Sequence, residues 1–129
     1  MINNSEDFHY LPGECNIDSV GVRWRRRLGY ICLIAGLASL GAMYYVHFGM
    51  IFRFMIGAGF GYMTSLNFIE AKEHFCVMNA SKRTYEVSLY RTKIVDDLYK
   101  ELDLKKMRNV LVRSMIFAIA GGCLGLLPL

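Results

Sequence analysis

Arg23-Trp24-Arg25-Arg26-Arg27 runs directly into Leu28-Gly29-Tyr30-Ile31-Cys32-Leu33-Ile34-Ala35-Gly36, and no charged side chain follows until after Val46. At a rise of about 1.5 Å per residue, a helix over Leu28–Val46 nearly matches a hydrocarbon core of roughly 30 Å. Basic flanks stay on the cytoplasmic or matrix side, so Arg23, Arg25, Arg26 and Arg27 orient this span with the N-terminus inside. The basic cluster follows an acidic arm and the apolar run is longer than a signal-peptide core, so the segment reads as a retained span.

Outward from that stretch the same logic repeats. His47-Phe48-Gly49 reads as a tight turn, with Tyr44, Tyr45 and Phe48 forming an aromatic belt at the far interface. A second span is expected over Met50–Ile69, with Arg53 one turn inside and snorkelling outward. A third is expected over Val110–Leu129, with Arg113 near its inner end and the C-terminus outside. The fold class is therefore an all-α integral membrane protein with three transmembrane helices. It divides into an inner arm with its basic lead-in (1–27), a helical hairpin (28–69), an inner segment (70–109) and the last span (110–129).

The 129 residues suffice for one compact unit, and their 54% hydrophobic content is blocked rather than interleaved. Net charge is +4, but placement matters more. Residues 1–27 balance four acids against four arginines, and 70–109 carry nine Lys/Arg against seven Asp/Glu. Basic residues at membrane edges alternating with acids argue against nucleic acid as a partner. Residues 1–22 contain Pro12, Gly13 and Gly21 and read as an extended arm without a core of its own. In the inner segment Tyr85-Glu86-Val87-Ser88-Leu89 alternates as a short strand would. Ile94, Val95, Leu98, Tyr99 and Leu102 recur at helical spacing, predicting an amphipathic helix over 92–108 ahead of the third span.

Gly57, Gly61 and Ser65 are four apart and share one helix face; Gly121 and Gly125 repeat the device in the third span. Such grooves let helices approach closely where lipid offers no hydrophobic drive. They either join the three helices to one another or dock them onto other subunits. Smaller residues recur at Ala35/Ser39, Ala38/Ala42 and Ala118/Gly122.

Cys32 and Cys123 lie at different depths and read as packed apolar thiols. Cys15 and Cys76 fall on the inner face with His9 and His74, the candidate thiol or metal residues. Their spacing builds no self-contained site: there is no Cys-x-x-Cys. No nucleotide loop, Gly-x-Ser-x-Gly or His-Glu-x-x-His occurs, and Asp96/Asp97 are adjacent and so point apart on a helix. No enzyme activity, cofactor or small-molecule substrate is expected.

Cys15-Asn16-Ile17, Arg25-Arg26-Arg27-Leu28-Gly29 and Glu70-Ala71-Lys72-Glu73-His74-Phe75-Cys76-Val77-Met78-Asn79-Ala80, with a charged helix leading into a last span, form a pattern over most of the chain. It resembles small three-helix bacterial inner-membrane proteins with a Cys-Asn start, a basic lead-in and a Phe-Cys-Val box. That resemblance implies topology and a bacterial inner membrane, and carries no assigned activity. Over the second span alone, Gly57-Ala58-Gly59-Phe60-Gly61 resembles the glycine-rich MICOS core subunit of mitochondria, whose second glycine ladder is missing here. In a eukaryote the corresponding compartment is the mitochondrial inner membrane.

The expected function is that of a non-catalytic accessory or structural subunit, docking by its glycine faces among other membrane subunits and lipids. A respiratory or other energy-transducing complex is the expected host. The alternatives are an inner-face thiol or metal protein, and a self-associating protein that shapes the membrane through Gly57 and Gly61.

Overall fold

The computed structural model describes residues 8–88 and 90–128. The chain runs α1 (Ser19–Tyr45), α2 (Met50–Glu73), α3 (Val77–Ser81), β1 (Thr84–Val87), β2 (Tyr90–Lys93) and α4 (Asp97–Gly125). It is mostly helical, and α1 and α4 are each long and apolar enough to cross a membrane. Helix α2 lies between them: α1 and α4 both pack on it.

Helix α1 begins well before the apolar run. The Asp18 carboxylate accepts from Gly21 N at 3.0 Å, an N-cap that starts the helix at Ser19 and places the whole arginine cluster on it. The helix ends at Tyr45, and the His47-Phe48-Gly49 turn follows, with His47 in the left-handed region (φ 55°). At its other end α2 stops at His74, also left-handed (φ 54°), where the amide hydrogens of His74 and Phe75 both reach Glu70 O.

The amphipathic helix and the third span are one element. Asp96 caps α4 by accepting from Leu98 N at 2.8 Å, and no Gly or Pro interrupts the helix between Asp97 and Ala120. Its 29 residues make a rod of about 43 Å. The inner segment also departs from an all-α reading. β1 pairs with β2 in an antiparallel hairpin, Val87 opposite Tyr90, and Ile17 of the arm bridges to Glu86 in parallel on the far side of β1. The expected strand 85–89 is thus shifted to Thr84–Val87, and Leu89 lies outside the described residues, as do residues 1–7 of the arm and Leu129 of the third span.

Among the helices, the α2–α4 seam is built from backbone. A Cβ added at Gly61 would lie 2.7 Å from Phe117 O, and one at Gly57 or Gly121 would strike the main chain of the opposite glycine. Gly125 approaches the Arg53 backbone in the same way, and Ser65 Oγ lies 3.3 Å from Ser114 O. Asn67 Nδ2 donates to Met63 O and Ser114 Oγ to Val110 O, each within its own helix. On the α1 side, Gly36 and Gly29 receive the rings of Phe60 and Phe68. The end away from the arginine cluster is closed by Tyr44, whose hydroxyl is 2.6 Å from Leu124 O and whose ring carries the Arg53 guanidinium at 4.4 Å. Arg53 therefore stacks on an aromatic face of its own chain instead of only reaching outward.

Candidate functional site

The end of the bundle that carries the arginine cluster is organised around an unusual concentration of buried polar side chains: Asn16, Asp18, Glu70, Asn79, Glu86 and Asp103 are each at most 5% exposed. Burying such groups is costly unless every one is partnered, so their partners define what the region does. The two short motifs of the sequence, Cys-Asn-Ile near the start and Phe-Cys-Val after α2, meet here. Asn16 Nδ2 donates to Cys76 O at 3.1 Å, and Cys76 N donates to Asn16 Oδ1 at 2.6 Å. One amide side chain thus completes both backbone groups of a residue 60 positions away. Asn16 N reaches His74 O and Asn16 O accepts from Glu86 N, so the arm is threaded between the end of α2 and β1.

Arg25, one turn below the apolar run on α1, faces the same point. Its Nε lies 3.1 Å from Glu70 Oε2, and a terminal nitrogen donates to Cys76 Sγ at 2.7 Å. Glu70 also accepts from Val77 N at 2.8 Å. Burial pushes the Glu70 carboxyl above its ordinary value despite these partners. Burial, then the nearby Glu70, pushes the Cys76 thiol up too, against the lowering pull of Arg25. Asp18 does two jobs: besides capping α1 it accepts from Ser88 N at 2.7 Å, pinning the hairpin turn. Glu86 accepts from Asn79 Nδ2 and lies 3.8 Å from Arg91.

Two further contacts tie the arm and α2 to α4. Asp103 accepts from Tyr10 Oη and from Gly13 N, both at 2.7 Å, and Tyr10 stacks on Tyr85 at 4.9 Å. Burial raises the Asp103 carboxyl above its usual range. Glu73 is bracketed by Lys106 at 2.8 Å and by Arg113. Burial pushes Glu73 up, but the two cations outweigh it and hold the carboxyl below its ordinary value. The arm expected to be extended is thus folded onto its own chain from His9 to Asp18.

All five small residues picked out from the sequence, Gly57, Gly61, Ser65, Gly121 and Gly125, fall in the single α2–α4 seam, so those faces are covered by the chain itself. Of the two roles expected for these faces, this arrangement is the joining of the chain's own helices. Of the orienting arginines, Arg23, Arg26 and Arg27 are exposed and Arg25 is built into the clasp. Cys76 is buried, Cys15 is half-buried with its sulfur 3.6 Å from His9 O, and the side chains of His9 and His74 are exposed. Among the described residues no group of three or more His, Cys, Asp or Glu is arranged to hold a metal. Cys123 is exposed on α4, contrary to the packed position expected for it.

Sequence reasoning passed over Asp18, Glu70, Asn79, Glu86 and Asp103. Asp18 carried a usable signal, an Asp directly before a helical run; the others reveal themselves only through partners distant in sequence. Comparison with protein-family models, curated proteins and solved structures finds no match.

Proposed function

We propose that the chain is a non-catalytic subunit of a membrane assembly, crossing the bilayer three times with its N-terminus inside and its C-terminus outside. The three-crossing reading is supported by α2: with 24 residues, joined to α1 by a tight turn, it packs alongside two helices of membrane-spanning length. The orientation is supported by four arginines at the inner end of α1. An energy-transducing complex of an inner membrane, bacterial or mitochondrial, is the host class this reading favours.

Since the glycine faces are occupied internally, docking falls to the inner part. The observation that carries this is a set of apolar side chains left open at the base of α4: Tyr90, Val95 and Leu98 are 81%, 89% and 60% exposed. Leu98 lies 12 residues before Val110, about 18 Å below the third span and out of reach of hydrocarbon. Arg91, Lys93, Asp96 and Asp97 surround the patch with charge, the usual rim of a protein-binding surface. The buried clasp holds this surface rigidly to the membrane helices.

The test is isolation of the native protein in a gentle detergent, with mass spectrometry of what accompanies it. Wild type is expected to bring stoichiometric subunits, and the Val95→Asp/Leu98→Asp double variant to lose them while its membrane helices stay folded. Retention of the same partners by the double variant overturns the docking surface.

A further inference from the structure

Because α1 and α4 both lie on α2 without closing on each other, a cavity of about 420 Å³ remains between them. Its floor runs along α2 from Gly57 to Ile69, and Leu33 and Leu37 of α1 face Phe117 and Leu124 of α4 across it. The floor is about 18 Å long at helical rise, so a volume of this size, reckoned at the centres of water molecules, corresponds to a groove about 8 Å wide between its walls. A helix is about 10 Å across with its side chains and does not fit. A single hydrocarbon chain does, since carbon atoms in contact are about 3.5–4.0 Å apart.

The inner mouth of this channel is cationic. Stepping back along α1 from Leu37 by helical spacing gives Leu33, Tyr30 and Arg26, so Arg26 stands on the same row as the wall. One turn inward from Phe117 on α4 is Arg113. Arg113 shares Glu73 with Lys106, two cations on one carboxylate, leaving a surplus positive charge there. Among the described residues Arg23, Arg26 and Arg27 are exposed and enter no ion pair. A narrow apolar slot, opening between cations at the level of the inner headgroups, has the chemistry of one lipid class.

We propose that this groove holds an acyl chain of an anionic phospholipid from the inner leaflet, with its phosphate on Arg26 and Arg113. The lipid would fill the space that α1 and α4 leave over α2 and complete the bundle. This inference rests on the membrane-spanning reading above.

The experiment is native mass spectrometry of the full-length protein from nanodiscs of mixed phosphatidylglycerol and phosphatidylcholine, after a delipidating detergent wash. Wild type is expected to keep about one phosphatidylglycerol per chain. Ala120→Phe, which fills the groove from the α4 wall, should keep less than a tenth as much; Leu37→Trp does the same from α1 if the first variant fails to fold. Arg26→Gln should retain lipid but lose about fivefold of its preference for phosphatidylglycerol, the worth of one arginine at an anionic surface. A wild type stripped bare by the wash, or folded groove-filling variants that hold as much lipid, would overturn the proposal. So would a dimer of the chain that Ala120→Phe dissociates, since a second copy would then be the occupant. Release of the chain from membranes by alkaline carbonate would instead remove the membrane reading itself.

Discussion

Replacing Asn16 by Ala tests whether the arm is structural. Its amide closes two buried backbone groups, Cys76 N at 2.6 Å and Cys76 O at 3.1 Å, at a residue with no exposed surface. Removing it leaves Cys76 N unpaired, at a cost of about 1–3 kcal/mol, while Cys76 O keeps its bond from Ala80 N at 3.1 Å and loses only a second donor. With about 0.5–1.5 kcal/mol for the bond lost at Cys76 O, the expected loss is about 1.5–4.5 kcal/mol, a large share of a stability usually of about 5–15 kcal/mol. Asn16→Asp separates the two bonds. A carboxylate still accepts from Cys76 N but sets a charged oxygen against Cys76 O, so it should be at least as damaging at neutral pH and partly rescued on acidification, when a protonated oxygen can donate. Reversible unfolding of the detergent-solubilised protein, titrated with sodium dodecyl sulfate and followed by tryptophan fluorescence, measures both. Trp24 on α1 is the chain's single tryptophan and lies close to the clasp in sequence. A loss under 1 kcal/mol for Asn16→Ala, or no acid rescue of Asn16→Asp relative to Asn16→Ala, refutes the argument.

Two other perturbations have defined outcomes. Gly61→Leu forces the α2–α4 seam apart, because its Cβ alone would lie 2.7 Å from Phe117 O; a loss of about 1–3 kcal/mol or more is expected by the same titration. Gly59→Leu, with nothing within 4 Å of its Cβ, should be tolerated within about 0.5 kcal/mol. Glu73, held below its ordinary value of 4.5, contributes stability that is present above that value and fades as pH falls through its lower folded value. Glu73→Gln should therefore be less stable than wild type at pH 7 and show a smaller further loss on acidification, as read from melting curves taken between neutral and strongly acidic pH.

The parts of this fold legible in the sequence are those set by local pattern. The charge-free run after Arg27 marked α1, the His47-Phe48-Gly49 turn was placed correctly, and the four-residue spacing of Gly57 and Gly61 identified a packing face. What that face packs against was not legible, because a small-residue stripe has the same spacing whether its partner is Gly121 of the same chain or another subunit. The break expected between the amphipathic helix and the third span was a change in composition only. The backbone from Asp97 to Gly125 meets no residue that ends a helix. The clasp was least visible. Asn16 and Cys76 are 60 residues apart and Tyr10 and Asp103 are 93 apart. An arm rich in Pro, Gly and Asn reads as loop because its order comes entirely from partners it does not adjoin.

The separation between the arm and its partners also has a consequence for biosynthesis. At about 5–20 residues per second of translation, Asn16 emerges roughly 3–12 s before Cys76, and Tyr10 about 5–19 s before Asp103. On the topology proposed above, the first two helices are therefore made while the arm is still unattached on the side where the ribosome works. Only a chain whose second helix has returned to that side brings His74 and Cys76 to the waiting Asn16. On that topology, closure of the arm would act as a late proofreading step on insertion: a molecule with an inverted or missing crossing would keep its arm loose, open to the proteases of that compartment.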